Sequence, residues 1–251
     1  MRITVIGGSG LIGSKLVAKL RERGHEAISA SLDTGVNTLT GQGLATALEG
    51  ASVAADVSNS PSFEDEPAME FFQTSTRNLL AAESAAGIGH HVALYVVGTE
   101  RLSDSGYFRA KMVQERLIED SPIPYSIVHA TQFFEFVDGI VDLATSGNEV
   151  RLAHVLFQPM AAQDVATAVA DVTVGPPLND IVEIAGPQQF RLDELIRTTL
   201  RDRHDPRDVI TDPHAPYSGA ELQERTLVPD AGARLGETRF DDWQQARNGS
   251  S

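Results

Sequence analysis

The feature that most constrains the fold of this chain is a glycine-rich turn near its start. Residues 3–6 form an apolar, β-rich run, and residues 11–23 carry apolar side chains at helical spacing. Glycines at positions 7, 10 and 13 lie around the junction of these segments. Glycine permits a tight turn, and its missing side chain lets a pyrophosphate approach the amides at a helix start. The pattern predicts a dinucleotide-binding turn, although such turns also end strands for structural reasons alone. Its candidate binding residues are Gly7, Ser9, Gly10, Leu11, Ile12 and Gly13.

Strand-like and helix-like segments alternate along the first half of the chain. Strand patterns recur at residues 26–30, 52–57, 91–97 and 125–130, with helical patterns between them. Such alternation is typical of right-handed βαβ units, which build a parallel sheet covered on both faces. We therefore predict an α/β fold with a Rossmann-type, doubly wound parallel sheet.

The alternation loosens after about residue 131. Shorter strand and helix patterns follow, and no flexible linker separates them from the first half. We predict a dinucleotide-binding core at residues 1–150 and a smaller C-terminal substrate lobe at residues 151–247, packed on the core as one structural unit. Residues 248–251 are expected to form a tail.

Composition excludes several classes of function. The chain of 251 residues has 35 acidic and 20 basic side chains, a net charge of -15 that argues against nucleic-acid binding. The absence of cysteine excludes disulfides, thiolate nucleophiles and Cys-ligated metals. The adjacent His90 and His91 point to opposite faces of a strand, so no metal site is predicted. Without a signal-peptide pattern or a long apolar run, we expect a cytoplasmic protein with no membrane partner.

The end of the second predicted strand bears on the choice of dinucleotide. An acidic side chain there holds the ribose of NAD, and a basic one holds the extra phosphate of NADP. Ser31 stands at about that position, with Asp33 close by. A serine hydroxyl can bond a phosphate, but it can equally just end a strand. We expect NADP(H) to be slightly favoured over NAD(H).

A tyrosine and a lysine, Tyr107 and Lys111, stand four residues apart in a helical segment. This spacing places both side chains on one helix face. A lysine cation beside a phenol favours the phenolate and so lowers the tyrosine pKa, which suits proton transfer to a carbonyl or from an alcohol. The alternative is an incidental surface pair.

Together, the glycine turn and the Tyr107–Lys111 pair resemble the short-chain dehydrogenase/reductase superfamily, in particular its atypical NmrA-like, NAD(P)H-binding group. The likeness covers most of the chain, including residues 56–60, 126–134, 164–166 and 186–187. In that family the lysine also binds the nicotinamide ribose, and residues matching Ser58, Asn59 and Ser60 line the cofactor. The resemblance implies these roles for this chain.

The chain departs from the family pattern where a serine normally polarises the substrate carbonyl. Tyr95 occupies that position, and Thr99 is a candidate substitute. His129 also stands where relatives often have arginine. We therefore expect Tyr107 as general acid, Lys111 as its partner, and Tyr95 or Thr99 as the group that orients the carbonyl, with altered substrate placement.

Aromatic residues follow the fifth predicted strand. Phe133, Phe134 and Phe136 fit either core packing or an aromatic wall against a flat substrate, and Gln158 lies in a segment that covers the substrate in relatives. The combined prediction is an NAD(P)H-dependent oxidoreductase, monomer or homodimer, acting on a small aromatic or quinone-like carbonyl in bacterial secondary metabolism. A non-redox or oxygen-dependent tailoring enzyme and an NmrA-like dinucleotide sensor remain alternatives.

Overall fold

The computed structural model describes residues 1–249. In chain order the strands are β1 (Arg2–Ile6), β2 (Glu26–Ala30), β3 (Val53–Asp56), β4 (His90–Val96), β5 (Tyr125–Ala130), β6 (Thr145–Ser146), β7 (Glu149–Leu152), β8 (Leu156–Phe157), β9 (Ile181–Ala185), β10 (Phe190–Arg191), β11 (Asp208–Thr211), β12 (Pro216–Tyr217), β13 (Ala220–Glu221) and β14 (Arg234–Leu235). The helices are α1 (Leu11–Glu22), α2 (Leu44–Leu48), α3 (Asp65–Ala86), α4 (Gly106–Glu119), α5 (Val137–Leu143), α6 (Ala162–Val174), α7 (Leu192–Asp202) and α8 (Phe240–Asn248).

Seven strands form one parallel sheet in the order β14-β9-β5-β4-β3-β1-β2. β1 pairs with β2 on one side and with β3 on the other, so that Ile6 lies beside both Ala30 and Asp56. The order of the strands therefore reverses at β1. In open α/β sheets, ligands bind outside the carboxyl ends of the strands at such a switch point.

Helices cover both faces of this sheet, because alternate strand residues point to opposite sides. Ala55 and Val92 belong to the apolar cluster under α1 and α6. Their neighbours Ala54 and Ala93 point the other way, into the clusters under α2, α3 and α4. The predicted α/β fold with a doubly wound, Rossmann-type parallel sheet is confirmed.

The chain after residue 151 builds two parts of the molecule. α6, β9 and β14 join the central sheet and its helical layer. The remainder, together with β6 and the start of β7 from before that residue, forms a lobe with small sheets in the orders β11-β7-β6, β10-β8 and β12-β13. Apolar residues of this lobe share one core cluster with Tyr107 and Phe108 of α4, so the lobe packs directly on the helix that carries the Tyr–Lys pair.

The predicted tail at residues 248–251 lies partly outside the described residues, which end at 249. Asn248 is the last residue of α8 and not the start of an extended tail. Among the helices of residues 1–249, none combines the length and apolar character needed to cross a membrane.

Candidate active site

The glycine turn after β1 is too tightly packed to accept side chains. Gly7 has a φ of +76°, and a Cβ there would lie 2.9 Å from the Cα of Ser58. A Cβ on Gly13 would overlap the Gly7 carbonyl oxygen, which also accepts a 3.0 Å hydrogen bond from the Gly10 amide. The start of α1 thus lies directly on the turn, with Gly10 as a cap residue that has no side chain to bond the helix amides. These residues form a backbone cradle of the kind that a pyrophosphate requires.

The other predicted residues of the turn differ in what they can offer. Leu11 is 38% exposed beside the cradle, whereas the side chain of Ile12 is buried in the core under α1. Ile12 can therefore contribute only its backbone to a ligand. The Ser9 amide donates a 3.1 Å hydrogen bond to the Ser31 hydroxyl, which brings the end of β2 to the turn. Ser31 also begins a short 3-10 turn that it closes with Thr34.

The segment after β3 runs along the same edge of the sheet. Asp56 is buried, and its Oδ1 accepts hydrogen bonds from the Ser58 amide (2.9 Å) and hydroxyl (2.6 Å). Ser60 is buried as well, and its hydroxyl accepts a bond from the Ser62 amide. Asn59, between them, is exposed to solvent. The predicted residues Ser58 to Ser60 therefore lie next to the glycine cradle in a segment held by its own side chains.

Tyr107 lies in the first turn of α4 and is 6% exposed. Its hydroxyl donates a 2.7 Å hydrogen bond to Asn59 Oδ1. Its ring contacts Phe63, with centroids 5.0 Å apart, and Phe72 and Phe108 at 5.6 and 5.3 Å. Burial raises the pKa of Tyr107 to about 12, against the weaker opposing effect of the Asn59 hydrogen bond. The expectation that Lys111 lowers this pKa is wrong for this structure, because burial outweighs every other influence.

Lys111, one turn further along α4, is 3% exposed. Its Nζ lies over the rings of Phe72 and Tyr95, at 4.3 and 4.7 Å from their centroids. Burial lowers the pKa of Lys111 to about 8, although the carboxylates of Asp56 and Glu115 oppose the change. The pair thus shares one helix face, as predicted, but both members are drawn into the interior and titrate far from their ordinary values.

Two polar residues that sequence reasoning left unassigned connect to Lys111. The ammonium donates a 3.4 Å hydrogen bond to Gln114 Oε1, and Gln114 Nε2 donates at 3.4 Å to Asp56 Oδ2. The i, i+3 spacing of Lys111 and Gln114 is a sequence signal for the first contact. Asp56 is 58 residues from Gln114, so only the packing of β3 against α4 reveals the second.

Tyr95 and Thr99, the predicted carbonyl-orienting residues, both lie in the interior. Tyr95 is 2% exposed in a cluster with Ile118 and Ile127, and burial raises the pKa of its hydroxyl well above the ordinary value. Thr99 is fully buried, and its hydroxyl donates a 2.6 Å bond to the Val96 carbonyl. The Tyr95 side chain, on β4, is thus covered by α4, and the hydroxyl of Thr99, just after β4, is engaged within the protein.

The predicted aromatic wall is reduced to two of its three members. Phe133 and Phe136 stack with centroids 5.4 Å apart, and Phe136 is 51% exposed. Phe134 is buried against Phe240 and Trp243, so it is a core residue of the lobe.

Gln158 is bound at both ends of its side chain. Its Nε2 donates a 2.7 Å hydrogen bond to the Gly186 carbonyl, and its Oε1 accepts a 2.8 Å bond from Gln189. It is 5% exposed. This amide joins two loops of the chain, and its polar atoms are already engaged within the protein.

The histidines singled out in the sequence pair with carboxylates and hydroxyls. His90 bonds Ser126 at 2.9 Å, and His91 bonds Glu83 at 2.9 Å on the opposite face of the sheet. His129 lies 3.2 Å from Glu115. Within residues 1–249, no group of three or more His, Asp or Glu side chains is arranged to hold a metal ion.

Sequence comparison gives one weak curated relative. No protein-family model matches the chain. A chloroplastic divinyl chlorophyllide a 8-vinyl-reductase from Cucumis sativus is 27% identical in an alignment 225 residues long that covers 74% of this chain and 52% of the relative. The chain thus spans about half the length of the curated relative it matches.

Solved structures share the architecture more fully. A dTDP-glucose 4,6-dehydratase from Streptomyces venezuelae with NAD bound is 17% identical, with a TM-score of 0.74 over 100% of this chain and 98% of its own. A short-chain dehydrogenase/reductase superfamily protein from Agrobacterium tumefaciens with bound NAD is 16% identical, with a TM-score of 0.73 over 100% of both chains. A dTDP-4-dehydrorhamnose reductase from Bacillus anthracis in complex with NADP is 13% identical, with a TM-score of 0.67 over 99% of this chain and 92% of its own. At these identities the likeness concerns the fold. This chain shares the Rossmann-type α/β fold of these structures.

Proposed function

We propose that this protein is an NAD(P)H-dependent oxidoreductase of the atypical, NmrA-like type that reduces a small aromatic or quinone-like carbonyl compound. The observation that carries the proposal is the position of Tyr107. Its hydroxyl bonds Asn59, in the segment after β3 that packs on the glycine turn at the switch point of the sheet. A proton donor beside a dinucleotide cradle is the arrangement that carbonyl reduction needs.

The residues of the turn fit a dinucleotide. Because Gly7 and Gly13 have no side chains, the backbone packs closely at the turn. A pyrophosphate can then approach the amides at the start of α1. Ser58, Asn59 and Ser60 line the adjacent edge, and Lys111 is the proposed partner of the nicotinamide ribose. When bound, the reduced nicotinamide supplies a hydride to the substrate carbon. The neighbours solved with NAD or NADP support this class of cofactor; the slight preference for NADP remains our proposal.

Within this site Tyr107 donates the proton that completes reduction of the carbonyl oxygen. Lys111, one turn along the same helix, is the proposed source of positive charge that partly offsets the phenolate. The exposed ring of Phe136, stacked on Phe133, offers a flat apolar surface to an aromatic substrate. The lobe built from part of residues 151–247 would cover that substrate. We further propose that the reaction belongs to bacterial secondary metabolism.

The test combines cofactor binding with a substrate panel. NADPH and NADH are titrated into the protein by calorimetry, and oxidation of the reduced nicotinamide is followed with quinones, aromatic ketones and a vinyl-substituted porphyrinoid. The last is included because the curated relative is a vinyl reductase. We expect quinone- or ketone-dependent oxidation, and a fall of ~10²-fold or more in kcat for Tyr107→Phe with unchanged cofactor affinity.

Tyr125→Phe is the matched control, because Tyr125 begins β5 at the opposite, N-terminal edge of the sheet. It should retain wild-type turnover. Tight dinucleotide binding without turnover on any substrate would overturn the reductase proposal in favour of a sensor. Substrate conversion that needs no nicotinamide would overturn it in favour of the tailoring-enzyme alternative.

A further inference from the structure

The segment between β3 and α3 covers the reactive end of Tyr107. Asn59 Oδ1 accepts the hydrogen bond of the phenol at 2.7 Å, and the Phe63 ring packs on the Tyr107 ring. Bonds from Ser58 to Asp56 and from Ser62 to Ser60 fix the backbone on both sides of Asn59. The amide is therefore held at the phenol by local structure, although its residue is exposed to solvent.

Neither of the two predicted carbonyl-orienting side chains is exposed. The hydroxyl of Tyr95 is buried beneath α4. Thr99 is fully buried and its hydroxyl is bonded to the Val96 carbonyl. The side-chain hydrogen bond that Tyr107 makes is to Asn59.

We infer that Asn59 is the positioning residue for the Tyr107 hydroxyl and the hydrogen-bond donor to the phenolate that remains after the proton has left. The inference rests on the proposed role of Tyr107 as proton donor. A carboxamide carries an acceptor, Oδ1, and a donor, Nδ2. Oδ1 accepts the hydrogen bond of the neutral phenol, and a turn about the last side-chain bond presents Nδ2–H to the phenolate oxygen.

The proton step shows why both ends of the amide matter. The O–H bond of Tyr107 breaks, an O–H bond forms on the reduced substrate oxygen, and the negative charge stays on the phenolate until solvent returns a proton. A hydrogen bond to a charged oxygen is about twice as strong as one between neutral groups. The Nδ2–H donor therefore stabilises the charged state more than the Oδ1 contact stabilises the neutral one. In agreement, burial raises the pKa of Tyr107 and the Asn59 hydrogen bond acts against that rise.

Two substitutions that keep the branched shape of the side chain separate these functions. Asn59→Leu removes both ends of the amide, whereas Asn59→Asp keeps an acceptor for the phenol but removes the N–H donor and adds a negative charge. Asn148→Leu is the matched control, because Asn148 is in the lobe, where its amide bonds the Pro206 carbonyl. Thermal unfolding of each variant checks that the fold is retained.

The first readout does not depend on turnover. Position 107 carries 3-fluorotyrosine, whose phenol is more acidic than that of tyrosine, and its ¹⁹F resonance is titrated with pH. We expect the midpoint to rise by about one pH unit in Asn59→Leu, the size of one lost hydrogen bond, and further in Asn59→Asp. Asn148→Leu should leave it unchanged. A midpoint that does not move in either Asn59 variant would overturn the inference.

The second readout is turnover with the best substrate of the panel. Both Asn59 variants should lose ~10²-fold in kcat, the usual effect of removing one such donor, with KM for the substrate within about twofold of wild type. Wild-type kcat in Asn59→Asp would overturn the donor role. If the wild-type protein reduces no substrate, the proposed function fails, and the ¹⁹F midpoints alone then support or overturn the role of Asn59.

Discussion

Lys111 Nζ lies 4.3 Å from the centre of the Phe72 ring, so the cation of the Tyr–Lys pair rests on an aromatic face inside the helix–sheet interface. Tyr95 provides a second ring at 4.7 Å. Cation–π contact offsets part of the cost of removing an ammonium from water. The lowered pKa shows that the compensation is incomplete. Lys111 is therefore a side chain that stability alone does not favour, as is common for residues kept for function.

Replacing Lys111 by methionine should stabilise the protein at neutral pH. Burial lowers the pKa of Lys111 from 10.5 to about 8, so the native state loses its proton more readily than the unfolded state. The loss of stability caused by burying the charged Lys111 is complete below pH 8 and disappears as the pH rises to 10.5. It corresponds to about 3 kcal/mol, so we expect Lys111→Met to raise the free energy of unfolding by up to that amount at pH 7. Urea unfolding at pH 7 and 10 measures it.

The increase in the free energy of unfolding that Lys111→Met produces should be smaller at pH 10 than at pH 7. The variant should lose turnover while retaining its fold. A variant that is less stable than wild type at both pH values would show that the aromatic contacts outweigh the burial of charge.

Replacing Gly13 by alanine should damage the proposed dinucleotide cradle. A Cβ there would overlap the Gly7 carbonyl oxygen and approach Gly8, which are backbone atoms that cannot move away without opening the turn. We expect a loss of ~1–3 kcal/mol of stability, typical of overpacking, and weakened NAD(P)H binding by calorimetry. Gly139→Ala is the control, because that helical glycine has open space around it. It should be neutral or stabilising; an equally harmless Gly13→Ala would contradict the close packing of α1 on the turn.

The buried pair of Glu83 and His91 should make stability depend on pH. Burial alone lowers the pKa of His91, but the Glu83 carboxylate at 2.9 Å outweighs it and holds the pKa above 6.5. The native state thus keeps a proton that the unfolded state loses. This contribution is complete below pH 6.5 and is lost as the pH rises through the folded pKa.

Glu83→Gln removes the charge that holds the His91 proton. The pKa of His91, followed by NMR, should then fall below 6.5, and stability at pH 6 should drop by about 1–3 kcal/mol, with a smaller difference at higher pH. Glu115→Gln is the comparison variant, because that carboxylate pairs with His129 instead. A His91 pKa that stays above 6.5 without Glu83 would refute the pairing as its cause.

The first turns of α3 and α4 fit together through Gly106. A Cβ on Gly106 would overlap the Asp65 carboxylate, which pairs with Arg109 at 2.8 Å. We expect Gly106→Ala to push Asp65 aside and cost about 1 kcal/mol, because exposed ion pairs are worth little and the side chain can turn away. In an Asp65→Ala background the same change should be neutral or stabilising. Thermal unfolding of the wild type, the two single variants and the double variant tests this double-mutant cycle. A loss of stability from Gly106→Ala that is the same in both backgrounds would exclude Asp65 as its cause.

Much of the fold follows from local sequence patterns. The glycine spacing at 7, 10 and 13 and the alternation of β-rich and helical segments predict the first βαβ unit and the parallel sheet, because turn geometry and hydrophobic period act over a few residues. The i, i+4 spacing likewise places Tyr107 and Lys111 on one face of α4. These features are determined by the sequence because the interactions that create them lie within one turn or one strand.

Tertiary packing alone decided which polar groups share the site. Tyr107 meets Asn59 from 48 residues away, and Lys111 reaches Asp56 through Gln114. Packing also buried Tyr95 and Phe134, which the sequence offered as substrate contacts. No local pattern contains this information, since strand alternation says which side chains share a face but not which helix covers it. Burial then sets the pKa values of Tyr107 and Lys111, so the chemistry of the pair depends on long-range contacts more than on its spacing.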